Sequence, residues 1–268
     1  MDLLYKIILA ILVIYLAVNA YMYLFQRSLL YLPAKEMMEP RHYGLYKMQE
    51  VTLTTKDGVN ITAWYAPAQH NAHTMLYLHG NAGNLGDRTE KITDFLDQGF
   101  GMLVISWRGF GTSGGSPTEE GLYNDARAGL KFLKDNDISL KKTILYGESL
   151  GSGVAVQMAT EVKPKALVLE APYTSIADRA ANLYPYLPVR LLLKDKFDSL
   201  SKIKNVNTPL LVFHGYLDDV MPIGHSRRLM EAASEPKEAR FFEHVGHTDF
   251  NYNLLAKTMY EFVNSIGE

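Results

Sequence analysis

One five-residue motif, Gly147 to Gly151 (GESLG), constrains the fold of this 268-residue chain more than any other feature. An apolar run typical of a strand precedes it (residues 142–146, KTILY), and a run of small residues typical of a helix follows it (152–160, SGVAVQMAT). A G-x-S-x-G motif between a strand and a helix predicts a turn so tight that the serine hydroxyl stands clear of the sheet. The free N–H groups at the start of the following helix then face any negative charge that develops there. Ser149 is therefore the candidate nucleophile.

A serine nucleophile requires a histidine base, which in turn requires a carboxylate that orients it. In sheets of this type the carboxylate follows the serine and precedes the histidine along the chain, and it lies in a loop after a strand. The apolar run 209–213 (PLLVF) is typical of such a strand, and the loop behind it contains Asp218 and Asp219. Asp218 lies a few residues past the His-Gly turn at 214–215, as the acid should, whereas Asp219 is expected to be solvated or to cap the next helix.

The histidine base is expected in the loop after the last strand. The run 239–242 (ARFF) predicts that strand, and His244 and His247 follow it. His247 comes directly after Gly246, whose small size allows the loop to approach the serine closely. His244 lies nearer the strand end and is expected to be an ordinary edge residue. The predicted triad consists of Ser149, Asp218 and His247.

The loop after an earlier buried strand should complete the site with an oxyanion hole. Residues 75–78 (MLYL) predict that strand, and the glycine-rich run 79–84 (HGNAGN) follows it. In this arrangement one backbone N–H comes from that loop and another from the residue after the nucleophile. The predicted donors are the backbone N–H groups of Asn81 and Leu150. His79 is expected to brace the loop through hydrogen bonds and not to act as a base.

The composition argues against several other classes of protein. The formal net charge is −2 and no basic run of five or more residues occurs, so nothing indicates nucleic-acid binding. The absence of cysteine excludes a thiol nucleophile, a disulfide framework and cysteine-based metal sites. His70 and His73 lie in a polar loop without a carboxylate, which favours a solvated turn over a metal site. We therefore expect neither a cofactor nor a metal.

A run of 19 residues without a formal charge, 7–25 (IILAILVIYLAVNAYMYLF), does not resemble part of a soluble domain. At 1.5 Å per residue it spans about 28 Å, close to the hydrocarbon thickness of a bilayer. We predict an uncleaved, single-pass membrane anchor over residues 1–26, followed by a juxtamembrane linker over 27–48. The alternative is a cleaved signal peptide, because residues 18–20 (VNA) pass as a small-residue cleavage site, although the run stays apolar beyond them.

The side of the membrane on which the rest of the chain lies stays open. Arg27, Lys35 and Arg41 follow the apolar run, against Lys6 before it. By the positive-inside rule this slight excess favours a catalytic domain in the cytoplasm.

Strand and helix patterns alternate over residues 49–268, which we interpret as one domain. Strands are predicted near 51–54, 61–65, 74–79, 101–106, 142–147, 165–170, 208–214 and 238–244. Helices are predicted near 85–98, 118–136, 149–161, 174–194, 223–233 and 249–266. This alternation predicts an α/β fold: a mostly parallel eight-stranded sheet with helices on both faces, opened by an antiparallel hairpin. Residues 175–206 are expected to form one or two short helices and a short, incomplete cap, whose apolar side chains line an acyl pocket or pack on the sheet.

Several motifs together resemble the α/β-hydrolase superfamily and, within it, the membrane-anchored branch typified by the bud-emergence protein of fungi and its bacterial relatives. They are residues 79–84 (HGNAGN), 107–113 (WRGFGTS) with 121–125 (GLYND), the GESLG motif, and 187–193 (LPVRLLL) with 197–199 (FDS). The resemblance covers the chain from the apolar run to the C-terminus. It implies the α/β-hydrolase fold and a serine hydrolase with Ser149, Asp218 and His247 as nucleophile, acid and base.

This chain departs from the relatives that it resembles in two respects, the charges that flank the apolar run and the residues before the Arg-Gly-x-Gly run. In some relatives the catalytic domain lies on the non-cytoplasmic side of the anchor, against the slight charge bias seen here. Relatives also often carry an acidic residue before the Arg-Gly-x-Gly run, where this chain has Ser106 and Trp107.

Three functions are compatible with the predicted site. The first is hydrolysis of an ester or thioester, in which a small-molecule or lipid-like acyl substrate, presented at the membrane, forms an acyl-enzyme with Ser149. The second is amidase or peptidase activity with the same triad, which the sequence does not separate from the first. The third is a non-catalytic membrane-anchored scaffold, which the presence of all three triad residues disfavours.

Overall fold

The computed structural model describes residues 2–70 and 72–267. In chain order the helices are α1 (Asp2–Leu30), α2 (Thr89–Asp97), α3 (Glu119–Asp135), α4 (Leu150–Glu161), α5 (Ile176–Leu183), α6 (Val189–Leu192), α7 (Ser199–Ile203), α8 (Gly224–Ala232) and α9 (Tyr252–Ser265). The strands are β1 (Leu32–Pro33), β2 (Gln49–Thr54), β3 (Asn60–Ala66), β4 (Thr74–Leu78), β5 (Ala82–Gly83), β6 (Gly101–Ile105), β7 (Thr143–Glu148), β8 (Ala166–Glu170), β9 (Leu210–Gly215) and β10 (Lys237–Phe242).

Eight strands of these described ranges form one sheet, in the order β10-β9-β8-β7-β4-β6-β3-β2. Neighbours pair in parallel from β10 to β6, whereas β3 pairs antiparallel with both β6 and β2. The Gly58 N–H donates to the Thr55 carbonyl in the turn between β2 and β3, and Gly58 has a φ of 80° that suits glycine. The predicted mostly parallel, eight-stranded sheet with an antiparallel hairpin is confirmed.

Helices cover both faces of the sheet, so its central strands consist of nearly continuous apolar runs. The strands β4, β6, β7, β8 and β9 are buried at every position. One apolar cluster joins α3, α4 and α8 to one face of the sheet, where Leu76 and Leu145 lie. A second cluster joins α2 and α9 to the other face, where Tyr77 and Tyr146 lie. Adjacent residues fall into different clusters because successive side chains of a strand point to opposite faces.

Helix α1 extends beyond both ends of the predicted apolar run 7–25 and is long and apolar enough to cross a membrane, by length and composition. Most of its side chains are exposed to solvent. Its half-buried positions are Asn19, Met22, Gln26 and Leu30, which lie on one face because they are three or four residues apart. This face contacts the cap described below.

The chain directly after α1 lies against the domain. Tyr31 is only 3% exposed. The next residues form β1, which pairs in parallel with β5 in the glycine-rich loop after β4. The Leu32 N–H donates to the Asn81 carbonyl at 2.8 Å. The first part of the predicted linker therefore contacts the predicted oxyanion loop.

The cap, residues 175–206, consists of the three short helices α5, α6 and α7. Ser175 caps α5, since its hydroxyl accepts from the Asp178 N–H. The helical pattern predicted over 174–194 is interrupted at Pro185 and Pro188, because a proline cannot donate the backbone hydrogen bond of a helix interior. The helix α7 after this segment was not predicted, since five residues are too few to show a helical period.

Candidate active site

The chain turns sharply at Ser149, between the end of β7 and the start of α4. Ser149 has φ 48° and ψ −116°, a backbone conformation that L-residues rarely adopt. A Cβ atom at Gly151 would lie 1.9 Å from the Leu78 carbonyl oxygen, and one at Gly147 would lie 2.6 Å from the Gly151 carbonyl oxygen. Both flanking positions therefore require glycine, and together they hold the serine in a strained turn.

The structure brings the three predicted triad residues into one hydrogen-bonded series. His247 Nε2 lies 3.0 Å from Ser149 Oγ, and His247 Nδ1 lies 2.7 Å from Asp218 Oδ2. Because a carboxylate only accepts, Nδ1 carries the proton and Nε2 is left to accept the serine proton. These contacts span 98 residues between Ser149 and His247 and 29 residues between Asp218 and His247. The geometry is that of a nucleophile, a base and an orienting acid.

Asp218 is fully buried and is held by three donors. Its Oδ1 accepts from the Met221 N–H at 2.7 Å, and its Oδ2 lies 3.2 Å from His214 Nε2 in addition to the bond from His247. Burial alone would raise the pKa of Asp218, but the hydrogen bonds from His214, His247 and the Met221 N–H hold it well below its usual range. Asp218 therefore stays ionised at neutral pH, as a group that stabilises an imidazolium must.

His214 is a supporting residue that the sequence analysis did not identify. Its Nε2 faces the oxygens of Met221 and Asp218, and its Nδ1 lies 2.5 Å from the Ser226 hydroxyl. Nε2 therefore carries the proton, and Nδ1 accepts from Ser226. The available signal was its place at the end of a buried apolar strand, where a polar side chain needs partners.

The rejected alternatives for acid and base lie apart from the triad. Asp219 is exposed, and its carbonyl oxygen accepts from Arg179 Nη2 at 2.9 Å. His244 is also exposed, on the loop after β10. Of these two pairs of neighbours, Asp218 and His247 take part in the hydrogen-bonded series with Ser149.

The predicted oxyanion loop lies between β4 and β5. In the described ranges of the chain, neither the Asn81 N–H nor the Leu150 N–H donates to another protein group. The side chain of Asn81 donates to the Leu30 carbonyl at 2.8 Å, which ties the loop to the end of α1. His79 braces the loop from inside: its Nδ1 donates to the Gly80 carbonyl at 2.8 Å. Burial lowers the pKa of His79 to about 3, so the ring is neutral.

An ion cluster of Lys91, Glu148 and Glu170 is buried directly behind Ser149. Lys91 Nζ lies 2.6 Å from Glu148 Oε2 and 2.8 and 2.9 Å from the two carboxylate oxygens of Glu170. Two buried tyrosine hydroxyls donate to the carboxylates, one to each. Glu148 precedes the serine, and the Glu170 carbonyl accepts from the Ser149 N–H at 2.9 Å. The ion cluster therefore supports the backbone that carries the candidate nucleophile.

The charges in the ion cluster follow from its contacts. Burial would raise the pKa of Glu148, but Lys91 and the nearby Arg88 hold it below its usual range. Burial dominates at Glu170 and raises its pKa. Burial would lower the pKa of Lys91, but the two carboxylates raise it well above its usual range. Lys91 is therefore a permanently charged buried cation.

Two cavities touch residues beside the triad. An apolar cavity of about 250 Å³ lies between α1 and the cap and reaches Met221, whose N–H donates to Asp218. A more polar cavity of about 360 Å³ is lined by residues that include Glu148 and Thr248. Glu148 and Thr248 are the sequence neighbours of the candidate nucleophile and base, so the polar cavity adjoins the candidate site, as the apolar cavity does through Met221.

Sequence comparison finds relatives along most of the chain. Residues 69–201 match a family described as serine aminopeptidase, S33. An uncharacterized protein of Mycobacterium tuberculosis is 37% identical over 227 residues, which cover 84% of this chain and 81% of that protein. Protein bem46 of Schizosaccharomyces pombe is 30% identical over 220 residues, which cover 75% of this chain and 73% of that protein.

Structural comparison bears on the fold. An esterase of Pyrococcus furiosus matches with a TM-score of 0.72 at 22% sequence identity, over 89% of this chain and 98% of the esterase. This likeness confirms the predicted α/β-hydrolase fold.

Proposed function

This chain belongs to the α/β-hydrolase family that includes bem46 of Schizosaccharomyces pombe, and from that membership we propose that it is a serine hydrolase that cleaves carboxylic esters or thioesters. The observation that carries the proposal is the hydrogen-bonded series Asp218, His247 and Ser149, with the serine in the strained turn before α4. Such a series activates a hydroxyl that is otherwise a weak nucleophile.

In the first half of the reaction Ser149 Oγ attacks the acyl carbonyl carbon and His247 Nε2 takes the hydroxyl proton. The carbonyl oxygen becomes an oxyanion, to which the free N–H groups of Asn81 and Leu150 donate. Each such donor is worth about 3–4 kcal/mol in the transition state. His247 then gives its proton to the departing alkoxide or thiolate, and the acyl group stays on Ser149.

In the second half a water molecule enters and loses a proton to His247 as it attacks the acyl-enzyme. The tetrahedral intermediate collapses, Ser149 Oγ recovers its proton, and the carboxylic acid leaves. Asp218 stays ionised throughout and stabilises the imidazolium that forms twice per turnover.

The chemistry of the cavities favours an ester or thioester over the aminopeptidase substrate that the matched family's description names. An aminopeptidase must bind a free α-ammonium group, which requires a carboxylate available to it. The apolar cavity has no acidic residue among its described lining and carries Arg179. Glu148 and Glu170, near the serine, are already bonded to Lys91. We therefore propose an acyl substrate without an adjacent ammonium group.

We also propose that α1 holds the enzyme at a membrane as a single-pass anchor. Its 29 residues are about 44 Å long, more than the roughly 30 Å hydrocarbon core of a bilayer. The mass of the protein from membranes tests this, since a cleaved signal would remove about twenty residues. Protease protection in sealed vesicles then assigns the side on which the catalytic domain lies.

The activity is tested by labelling the full-length protein with a fluorophosphonate and by hydrolysis of p-nitrophenyl esters and p-nitroanilides. Ser149→Ala should lose labelling and at least about 10⁴-fold of ester turnover, with an unchanged melting temperature. Ser152→Ala is the matched control, because Ser152 is also buried in α4 and lies outside the hydrogen-bonded series. It should keep both labelling and turnover.

Each other outcome assigns a different function. Labelling with faster turnover of anilides than of esters would favour the amidase or peptidase. Folded wild-type protein that does not label and does not turn over either substrate class would favour the non-catalytic scaffold.

A further inference from the structure

The geometry points to an acyl-chain site whose two walls are the N-terminal helix α1 and the cap. We propose that one acyl chain of a membrane lipid lies between α1 and helices α5 and α6, with its carbonyl end at Ser149. The inference rests on the proposed hydrolase function and adds to it the substrate class and the role of α1. The helix is then part of the substrate site and not only a tether.

The apolar cavity supplies the site. On one side it is lined by α1, including Met22 and Leu29, and on the other by the cap, including Ala180 and Leu187. Two of its lining residues are hydrogen-bonded to groups of the candidate active site. Leu30 accepts a hydrogen bond from the Asn81 side chain, and Met221 donates one to Asp218. The cavity therefore adjoins the oxyanion loop and the candidate acid as well as the apolar helix.

Polar contacts fasten α1 to the cap, so the cavity has a defined width. The Gln26 side chain donates to the Leu192 carbonyl at 3.2 Å and accepts from the Lys194 N–H at 2.7 Å. Arg27 forms a bidentate ion pair with Asp195, in which Nε and Nη2 lie 2.8 and 3.2 Å from the two carboxylate oxygens. Such paired hydrogen bonds constrain orientation as well as distance.

The cap presents apolar side chains to the outside beside α1. Leu191 is 80% exposed, Tyr186 69% and Leu183 50%. The Tyr15 hydroxyl of α1 donates to the Tyr186 carbonyl at 3.1 Å, so this exposed surface lies beside the apolar run 7–25. A cluster of this kind next to a helix that can cross a bilayer fits the membrane interface, where tyrosine is favoured. The chain that enters the cavity therefore comes from the bilayer.

The polar leaving group has a different place. The polar cavity is lined by Thr248, which follows the candidate base His247, and by Arg88 and Glu148. His247 protonates the leaving group, so the alcohol or thiol departs on this side. The apolar cavity is thus left for the acyl chain.

The volume of the cavity sets the length of chain that it holds. A dry apolar cavity of about 150 Å³ accommodates benzene, which has six carbons. By the same packing, the cavity of about 250 Å³ accommodates roughly ten carbons. Longer chains project past its open end towards the bilayer. We expect a steep rise in kcat/KM from acetyl to decanoyl esters and little further rise beyond them.

A tethered photoprobe tests this site directly. The full-length protein, in detergent micelles, reacts with an alkyl fluorophosphonate that has a ten-carbon chain and a diazirine at the chain end. Ser149 Oγ forms a bond to phosphorus, fluoride leaves, and His247 takes the hydroxyl proton. Irradiation then links the chain end to its neighbours, and mass spectrometry identifies the peptides. Crosslinks within residues 19–30 and 176–193 are expected.

The outcomes separate this inference from the proposed function. Failure to label Ser149 would overturn the hydrolase proposal itself. Labelling of Ser149 with crosslinks at Thr248 or Tyr252, or with none on the protein, would leave a hydrolase but overturn the acyl-chain site.

A variant provides the second measurement. Ala180→Trp fills the cavity and should lower the ratio of decanoyl to acetyl ester kcat/KM at least tenfold. Asn182→Trp places the same side chain at an exposed position of α5 outside the cavity and should leave the ratio unchanged. An unchanged ratio in Ala180→Trp, with Ser149 still labelled, contradicts the site.

Discussion

Replacement of Lys91 by methionine, which keeps an unbranched side chain one atom shorter and removes its charge, tests the role of the buried ion cluster. In the native protein the ammonium group is within 2.9 Å of three carboxylate oxygens of Glu148 and Glu170. The variant leaves two buried carboxylates adjacent to each other, with Arg88 at 3.5 Å from Glu148 as the nearest remaining cation. Removal of one partner from a buried ion pair costs about 3–5 kcal/mol of unfolding free energy.

The loss should depend on pH in a defined direction. Without Lys91 the folded-state pKa of Glu148 rises above the unfolded value of about 4.3. The pKa of Glu170, which burial already raises in the native protein, rises further. A carboxyl group with a raised folded pKa stabilises the fold fully below its unfolded pKa and loses that contribution as pH rises through its folded pKa. The difference in unfolding free energy between the wild type and the variant should therefore be small near pH 4 and grow towards pH 7.5.

Thermal unfolding of the full-length protein in detergent, followed by tryptophan fluorescence at several pH values, measures the effect. For a domain of this size 1 kcal/mol shifts the melting temperature by about 2–4 °C, so Lys91→Met should lower it by roughly 10 °C at pH 7.5. Lys47→Met is the matched control, because Lys47 forms a solvent-exposed pair with Asp97 and should shift it by less than about 2 °C. Equal shifts in the two variants, or a gap that shrinks as pH rises, would refute the reasoning.

Three further predictions concern the candidate triad, the turn at Ser149 and another buried carboxylate, Asp125. Asp218→Asn should lower ester kcat/KM by about 10³–10⁴-fold, and Asp219→Asn should leave it nearly unchanged; the reverse result would reassign the acid. Gly151→Ala places a Cβ 1.9 Å from a backbone oxygen of β4, whereas Gly224→Ala meets nothing within 4 Å, so only the first should lower the melting temperature and ester turnover; equal effects would contradict the turn geometry. Burial raises the pKa of Asp125 to about 6, so its contribution to stability is present below pH 3.9 and is lost as pH rises through about 6. Asp125→Asn should therefore reduce the slope of melting temperature against pH over that pH range. An unchanged slope would contradict the raised pKa of Asp125.

Much of the fold was predictable because each buried strand is a separate apolar run. The runs around residues 74–79, 142–147 and 208–214 correspond to β4, β7 and β9 within one or two residues. Parallel strands end at the same edge of a sheet, so the loops that contain Ser149 and Asp218 had to meet. The order along the chain and the small neighbour Gly246 were the basis for predicting His247, which the structure places in hydrogen-bond contact with both Ser149 and Asp218.

Contacts between distant segments were not predictable from one sequence. Gln26 and Arg27 resemble ordinary residues that flank an apolar helix, yet their partners lie 166 to 168 positions further on. The pairing of β1 with β5 involves two residues from each strand, too few to show an alternating pattern.

Lys91 was missed for a related reason. It lies in a short amphipathic helix, where a lysine is typical of the solvent-facing side. The informative residues were its partners: Glu148 and Glu170 end neighbouring apolar strands and are directly paired in the sheet. Two adjacent buried carboxylates require a cation, although the sequence does not identify which one.

The attachment of α1 to the cap also dictates the order in which the protein is assembled. The helix is made first, and the partners of Tyr15, Gln26 and Arg27 follow 166 to 171 residues later. At about 5–20 residues per second, the ribosome takes roughly 10–30 s to reach them. Throughout this interval the polar groups of α1 have no cap to bind. The site between helix and cap is therefore completed only after most of the chain has been synthesised. A prematurely terminated chain would expose the face of α1 that the cap otherwise covers.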